Sequence, residues 1–308
     1  MAQKARDWAK LDAAHRRRGE LITLWLSDDS GAYAAPAYNQ RTGAPRQYSD
    51  ALVEALLTVK VVLRLSLRAV EGFATGMARL AKARWTVPNY TTLSRRQAGL
   101  DVDLGARYDP TKKHVLIVDA TGLTVFGEGE WKVRTPGTDG KRRTWRKIHL
   151  LVDRESGHII SVQTTEGSAG DAPQVPKLLP EVIGNDFLLG DGAYHTKDLH
   201  RLMHAKGGVL LSPPPINARR WKPHHRAAER AFLFRNAQLT HIKRLGRTAW
   251  KVQTGCSQRS FVECTNHRLK SITGDRLSAR TMDRQTVEVR LRCKVLNTLA
   301  TSTWSPTA

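Results

Sequence analysis

The chain has 308 residues, 40% of them apolar and 25% charged, which are the proportions of a folded protein and exclude wholesale disorder. Fifty Lys and Arg stand against 28 Asp and Glu, giving a net charge of +22 and a pI near 10.5. Such a field favours polyanions, because each neutralised phosphate releases condensed counterions, so nucleic acid leads as partner and an anionic membrane surface follows well behind.

The charge is uneven: residues 111–211 carry 14 basic and 12 acidic side chains, whereas residues 212–308 carry 19 and five. Three cysteines, Cys256, Cys264 and Cys293, form no even framework and no CxxC pair, which fits a reducing cytoplasm beside the nucleoid. No apolar run approaches the ~20 residues that span a bilayer. The first residues, "MAQKARDWAKLDAAHRRR", lack the apolar core of a signal peptide.

Residues 1 to about 35 are polar and predict mixed helix and loop, followed by a basic linker, "YNQRTGAPRQYSD" (38–50). Ser49 then stands as N-cap to an apolar array with positions 52, 53, 56, 57, 59 and 61–63, which predicts two buried helices broken near Leu65–Ser66. Pro88 stops this array. "NYTTLSRRQAGL" (89–100) predicts a short helix capped by Asn89 or Thr91. If it is the recognition helix of a helix-turn-helix, Thr91, Thr92, Ser94, Arg95 and Arg96 are its candidate DNA contacts. A small helical bundle with a solvated basic face would read the same way.

From His114 the texture changes to β-branched runs. "HVLIVDATGLTVF", "WRKIHLLVDRESG" and "HIISVQTTEG" predict three antiparallel strands, and "APQVPKLLPEVI" a helix. "DFLLGDGAYHT" predicts a buried strand, "TKDLHRLMHAKGG" a helix closed by glycine, and "GVLLSPPP" a last strand. The order β, β, β, α, β, α, β, then helix is that of an α/β, ribonuclease-H-like domain with a mixed sheet and flanking helices. The expected division is a helical, helix-turn-helix-like DNA-binding region over 1–110 and a catalytic domain over 111–308. A basic segment at about 212–255 is inserted in the latter, with Arg219, Arg220, Trp221 and Lys222 as candidate DNA contacts. A packed helical insertion with a core tryptophan is the alternative for that segment.

Asp119 ends the first apolar run and Asp191 the fourth, and in this strand order those strands are neighbours. A lone D-x-G is more often a turn or cap, but two carboxylates aimed at one spot repel unless a divalent cation lies between them, and their hard oxygens suit Mg²⁺. Arg259, Glu263 and Lys270 in "CSQRSFVECTNHRLK" (256–270) fall on one helical face, with Glu263 as third carboxylate. Glu128, Glu130, Asp153 and Asp171 read as hairpin, turn and cap residues.

These stretches, above all "VDATGLTVFGEGEWKVR" (118–134), "WRKIHLLVD" (145–153) and "GDGAYHT" (190–196), resemble the DDE transposases of bacterial insertion sequences, in the IS-five family and close to its nine-zero-three subgroup. The family motif Tyr-(2)-Arg-(3)-Glu-(6)-Lys falls on Arg259, Glu263 and Lys270, with Cys256 in place of the tyrosine. The resemblance implies Asp119, Asp191 and Glu263 as catalytic, metal-binding triad, with two Mg²⁺ ions (Mn²⁺ substituting) at the ~3.5–4 Å spacing of two-metal sites. It implies Arg259 and Lys270 as phosphate holders, and cleavage and strand transfer at terminal inverted repeats of double-stranded DNA; Arg146 and Lys147 are further candidate DNA contacts, and pairing two ends calls for a homodimer or larger assembly. A transposase-derived DNA-binding regulator and a ribonuclease-H-like nuclease are the competing readings.

Overall fold

A computed structural model of the chain describes Tyr33 and residues 47–83, 85–125, 145–181, 183, 186–222 and 226–303. The linker up to residue 46, Glu128 and Glu130 lie outside the described residues. The chain divides into two compact units, one of residues 1–105 and 272–308 and the other of residues 106–271. The first division falls near the expected one, but the last 37 residues group with the N-terminal helices rather than with the strand-rich region.

In the first unit α1 (Asp50–Leu63) starts where Ser49 accepts the Leu52 N–H at 3.1 Å. Its end at Arg64, with φ of 53°, and a new cap at Ser66 produce the expected break before α2 (Leu67–Leu80). Asn89 caps α3 (Tyr90–Gln97) by accepting the Thr92 N–H at 2.8 Å. Leu52, Val53, Leu56 and Leu57 of α1, Val70 and Ala74 of α2 and Leu93 of α3 form one core with Val287 and Leu291 of the C-terminal helix, Met282–Thr303. Burying each large aliphatic side chain contributes about 1.5–3 kcal/mol before chain entropy is counted.

The second unit is built on a mixed sheet of β1 (Val115–Val125), β2 (Trp145–Asp153), β3 (Ile159–Glu166), β4 (Phe187–Leu189) and β5 (Val209–Leu211), in the order β3-β2-β1-β4-β5. β1, β2 and β3 pair antiparallel, and β4 and β5 add in parallel on the other side of β1. This is the ribonuclease-H-like arrangement the element order predicts. The expected 12-residue helix after β3 is cut to a 3-10 turn at Ala172–Gln174 and one α-turn, α4 (Val175–Leu178), because Pro173, Pro176 and Pro180 supply no N–H to continue it. α5 (Lys197–Ala205) follows β4, and α6 (Arg226–Leu245) and α7 (Arg247–Gln253) fill the segment after β5. α8 (Ser260–Thr273) carries Glu263.

Candidate active site

The parallel register of β1 and β4 brings the first two carboxylates together. Val115, Leu116 and Ile117 pair with Phe187, Leu188 and Leu189, so Asp119 and Asp191 each lie two residues beyond the last β1–β4 pair; Asp119 does not end its strand as expected, because β1 runs on to Val125 with Asp119 opposite Leu150 of β2. β1 is nearly continuous apolar sequence because both its faces are covered: Leu116, Ile117 and Val118 have no exposed surface.

"GDGAYHT" builds the ground around Asp191 residue by residue. A Cβ on Gly190 would come within 2.9 Å of the Cβ, Cγ and Cδ2 of Tyr194, so the glycine is required by the packing of that buried ring. Gly192 meets nothing closer than the Pro213 carbonyl at 3.7 Å. Asp191 Oδ1 accepts the Ala193 N–H at 2.8 Å, so the carboxylate also caps the 3-10 turn Gly192–Tyr194. His195 donates from Nδ1 to the Ser212 carbonyl at 3.2 Å, which leaves Nε2 to accept from Arg235 Nε at 3.1 Å. Burial, then the Arg235 charge, pulls the His195 pKa down to about 4, so the ring is neutral at pH 7. Thr196 caps α5 through the Leu199 N–H at 3.2 Å.

α8 approaches Asp119 from the opposite direction in sequence. Its first turn is held by Phe261, whose ring lies 5.0 Å from the Arg154 guanidinium. Arg259 closes a 3-10 turn (Cys256–Arg259) ahead of the helix rather than lying within it, and still reaches Glu263, donating to Oε1 at 2.6 Å. The pair is partly solvent-exposed, whereas Cys256 is buried and its thiol is pushed up by that burial. Lys270 is half-buried at the far end of the same stripe. Sequence reading passed over Asn266, which fills the gap in that stripe and donates from Nδ2 to Asp119 Oδ2 at 2.9 Å. Its position three after Glu263 and four before Lys270 was the available signal.

The electrostatics register the convergence. Burial raises the Asp119 pKa above the ordinary carboxylate value; Asp191 and Glu263 push the same way, while the Ala120 N–H and the Arg259 charge oppose them. The Tyr194 phenol is raised by burial and then by the charges of Asp171, Asp119 and Asp191. Asp119 is therefore a partly desolvated carboxylate whose rise comes first from burial, with the Arg259, Asp191 and Glu263 charges around it. Among the described residues, however, no three His, Cys, Asp or Glu side chains are gathered tightly enough to hold a metal ion as they stand.

The other expected contacts are spread over the molecule. Arg96 is engaged by Asp50 and by the Tyr48 carbonyl at 3.1 Å, and the Thr91 hydroxyl donates to Asn89 at 2.8 Å; Arg95 is exposed, and Thr92 and Ser94 are half-buried. Arg146 pairs with Glu166 at 2.5 Å, and Lys147 with Asp171 at 3.2 Å. Asp171 makes no side-chain cap, contrary to expectation, because its carboxylate turns to Lys147 and His149. Arg219, Arg220 and Lys222 are exposed, but Trp221 is half-buried beneath Arg235, 4.0 Å from its centroid, and against His195, His200 and Phe232. Asn236 clamps the Trp221 backbone from both sides at 3.0 Å. The insertion thus has a packed interior and a basic exterior.

A family profile described as "Transposase DDE domain" matches residues 110–298, well over half of the chain, and a second profile of the same description matches residues 16–128. The chain belongs to the DDE transposase family. A curated relative, an uncharacterized protein of Aquifex aeolicus (strain VF5), is 27% identical over 197 residues, which cover 58% of this chain and 58% of that protein. Among solved structures the chain is similar to a piggyBac transposase synaptic complex with hairpin DNA, at 11% identity and a TM-score of 0.46, covering 93% of this chain and 74% of that one. It is more distantly similar to a pre-cleavage Mos1 transpososome, at 10% identity and a TM-score of 0.22, covering 87% and 82%.

Proposed function

We propose that the chain is a DNA transposase of the IS-five type, which cuts the phosphodiester at the ends of its insertion sequence and joins the freed 3′-hydroxyl to target DNA. The observation that carries this reading is the Asp119 carboxylate: as far beyond the β1–β4 pairing as Asp191 is, bonded by Asn266 of α8, and partly desolvated. Three carboxylates are a donor set suited to a hard divalent cation, so Asp119, Asp191 and Glu263, once brought together, would hold Mg²⁺ or Mn²⁺. The bound ions would supply Lewis-acid stabilisation of the phosphoryl oxygens and an activated oxygen nucleophile.

The chain's own groups do the rest. Glu263 reaches the other two carboxylates by leaving its partly exposed ion pair with Arg259, a contact that costs only about 0.3–0.5 kcal/mol to break. The released Arg259 guanidinium, with Lys270, then faces the DNA phosphates and offsets charge developing on them. Exposed Arg219, Arg220 and Lys222 extend the cationic surface along the backbone of the DNA, and the net charge of +22 draws the polyanion in. Pairing of two ends calls for a dimer or larger assembly.

The test is cleavage and joining of DNA carrying the element's terminal repeats, with Mg²⁺, by the natural chain and by Glu263→Gln. Metal-dependent nicking and joining that vanish in the variant are expected. A second reading, a DNA-binding regulator without catalysis, is favoured by the Arg259–Glu263 pairing and by Cys256 at the motif's tyrosine position. Tight end binding with no cutting by the natural chain would establish it instead.

A further inference from the structure

Asn266 is out of place on ordinary packing grounds. Asparagine is a poor residue for a helix interior, since its amide competes for backbone hydrogen bonds. This one is in the second turn of α8, buried to nine-tenths, between the fully buried Val262 and Leu269. A leucine there would satisfy the core and the helix alike. The polar group must be retained for what it touches, and what it touches is Asp119, 147 positions away in sequence.

We propose that Asn266 is a positioning residue for the active-site carboxylate: its Nδ2–H···Oδ2 bond fixes the rotation of Asp119 while leaving the negative charge uncompensated for a cation. The inference rests on the transposase reading and says how α8 serves it. An ionised carboxylate only accepts hydrogen bonds, so the amide must present its NH₂ edge to Asp119. A neutral donor is the suitable choice. Lysine or arginine at this point would orient the carboxylate equally well but would neutralise it, and the attraction for a divalent ion would fall. The opposite edge of the amide supports the assignment: Asn266 Oδ1 is buried with no hydrogen-bond partner among the described residues. An unsatisfied buried acceptor costs about 1–3 kcal/mol, a burden that natural proteins tolerate chiefly at functional sites.

The face of α8, with Arg259 in the turn just ahead of it, then bears a sequence of roles. Arg259, Glu263, Asn266 and Lys270 follow one another at intervals of four, three and four residues, so docking α8 delivers a cation, a carboxylate, a neutral donor and a second cation along one line. The Asn266 bond sets where that line meets β1.

The experiment compares the full-length chain with Asn266→Leu, which keeps the volume and loses the donor, and with Asn266→Ser as a second variant. Melting temperature is measured without metal and then across a Mn²⁺ titration, with Asp119→Asn as control. Asn266→Leu is expected to melt within a few degrees of the natural chain, with its Mn²⁺ midpoint raised about 10–100-fold, the usual cost of losing a partner that orients a ligand. End cleavage should recover in part at saturating Mn²⁺. An unchanged Mn²⁺ midpoint in Asn266→Leu, with the natural chain responding, would overturn the inference and leave the transposase reading intact. If the natural chain and Asp119→Asn respond identically to Mn²⁺, Asp119 holds no cation, and reading and inference fall together. If neither Asn266 variant folds, Asn266 is structural and the inference is wrong.

Discussion

Two carboxylates, one in each unit, show how a fold treats a buried negative charge in opposite ways. Glu288 on the C-terminal helix accepts from the Ser278 N–H at 3.1 Å, the Ser278 hydroxyl and the Ala279 N–H at 2.9 Å, and Arg292 at 2.8 Å, with Lys60 4.0 Å away. Burial pushes its pKa up, but Lys60, Arg292 and the Ser278 donor outweigh it, and the net direction is down. Asp119 has, among the described residues, one side-chain donor, neutral Asn266, and burial raises its pKa, with Asp191 and Glu263 adding to the rise and the Ala120 N–H and Arg259 opposing it. The first carboxylate is finished by the protein. The second is left with its charge disfavoured by burial, as a site for an external cation would be.

The largest expected effect breaks the finished cluster. Glu288→Leu strands Arg292 and Lys60 as buried cations, and losing one partner of a buried charge network costs about 3–5 kcal/mol. The melting transition followed by circular dichroism should fall by roughly ten degrees or more. A shift of a degree or two would mean that the network contributes little.

Next comes the acid limb of stability. Burial pulls His195 down to about 4 and His200 to about 3, with Arg235 lowering both further and His195 also lowering His200, while the unfolded chain protonates them near 6.5. Below that pH the unfolded state binds more protons than the folded one, so stability is complete above about 6.5 and falls as pH drops towards 4. The slope is at most about 1.4 kcal/mol per pH unit for His200 and less for the better-solvated His195. His149 and His158, also lowered by burial, act in the same direction. Urea midpoints between pH 7 and 4.5 should track this, and His200→Phe, which suits the edge-on contact with Trp221, should flatten the slope. An unaltered slope would remove His200 from the account.

The sheet was legible in the sequence because its signals are local, β-branched runs and turn residues, although β1 runs six residues past Asp119. The register that makes those two aspartates neighbours followed from element order alone. What escaped depends on contacts far apart in sequence. The spacing of Asn266 from Glu263 and Lys270 hints at its face but not at its partner Asp119, 147 residues away, and the grouping of residues 272–308 with the N-terminal helices rests on apolar and charged contacts such as Leu291 with the α1 core. Gly190 carried a visible signal and a different cause: clearance for the Tyr194 ring. Gly190→Ala should therefore destabilise the unit by about 1–3 kcal/mol through overpacking, and Gly192→Ala by much less, in parallel denaturant titrations. Equal effects would show that the loop backbone, and not Tyr194, demands glycine.

Asp119→Asn sharpens the contrast with Glu288. It removes a charge that its surroundings resist, so the melting temperature should be unchanged or slightly higher at pH 7, while end cleavage is lost. Destabilisation on the scale of Glu288→Leu would mean that Asp119 is a structural carboxylate after all.

The smallest expected effect on stability comes from the contact that holds the third carboxylate back. Arg259→Gln cuts a partly exposed i,i+4 pair, so stability should change by no more than about 0.5 kcal/mol. Metal response is the informative measurement. Glu263 freed of its guanidinium no longer has to leave an ion pair to join Asp119 and Asp191, and Asp119 loses a neighbouring positive charge that competes with a bound cation. Both changes favour tighter Mn²⁺ binding by the protein alone, by a factor of a few. DNA cleavage should nevertheless fall, because the same guanidinium is then missing from the phosphates. Tighter metal binding with slower cleavage separates the two roles of Arg259, whereas weaker metal binding would show that Arg259 helps to place Glu263 and that the pair is part of the working arrangement.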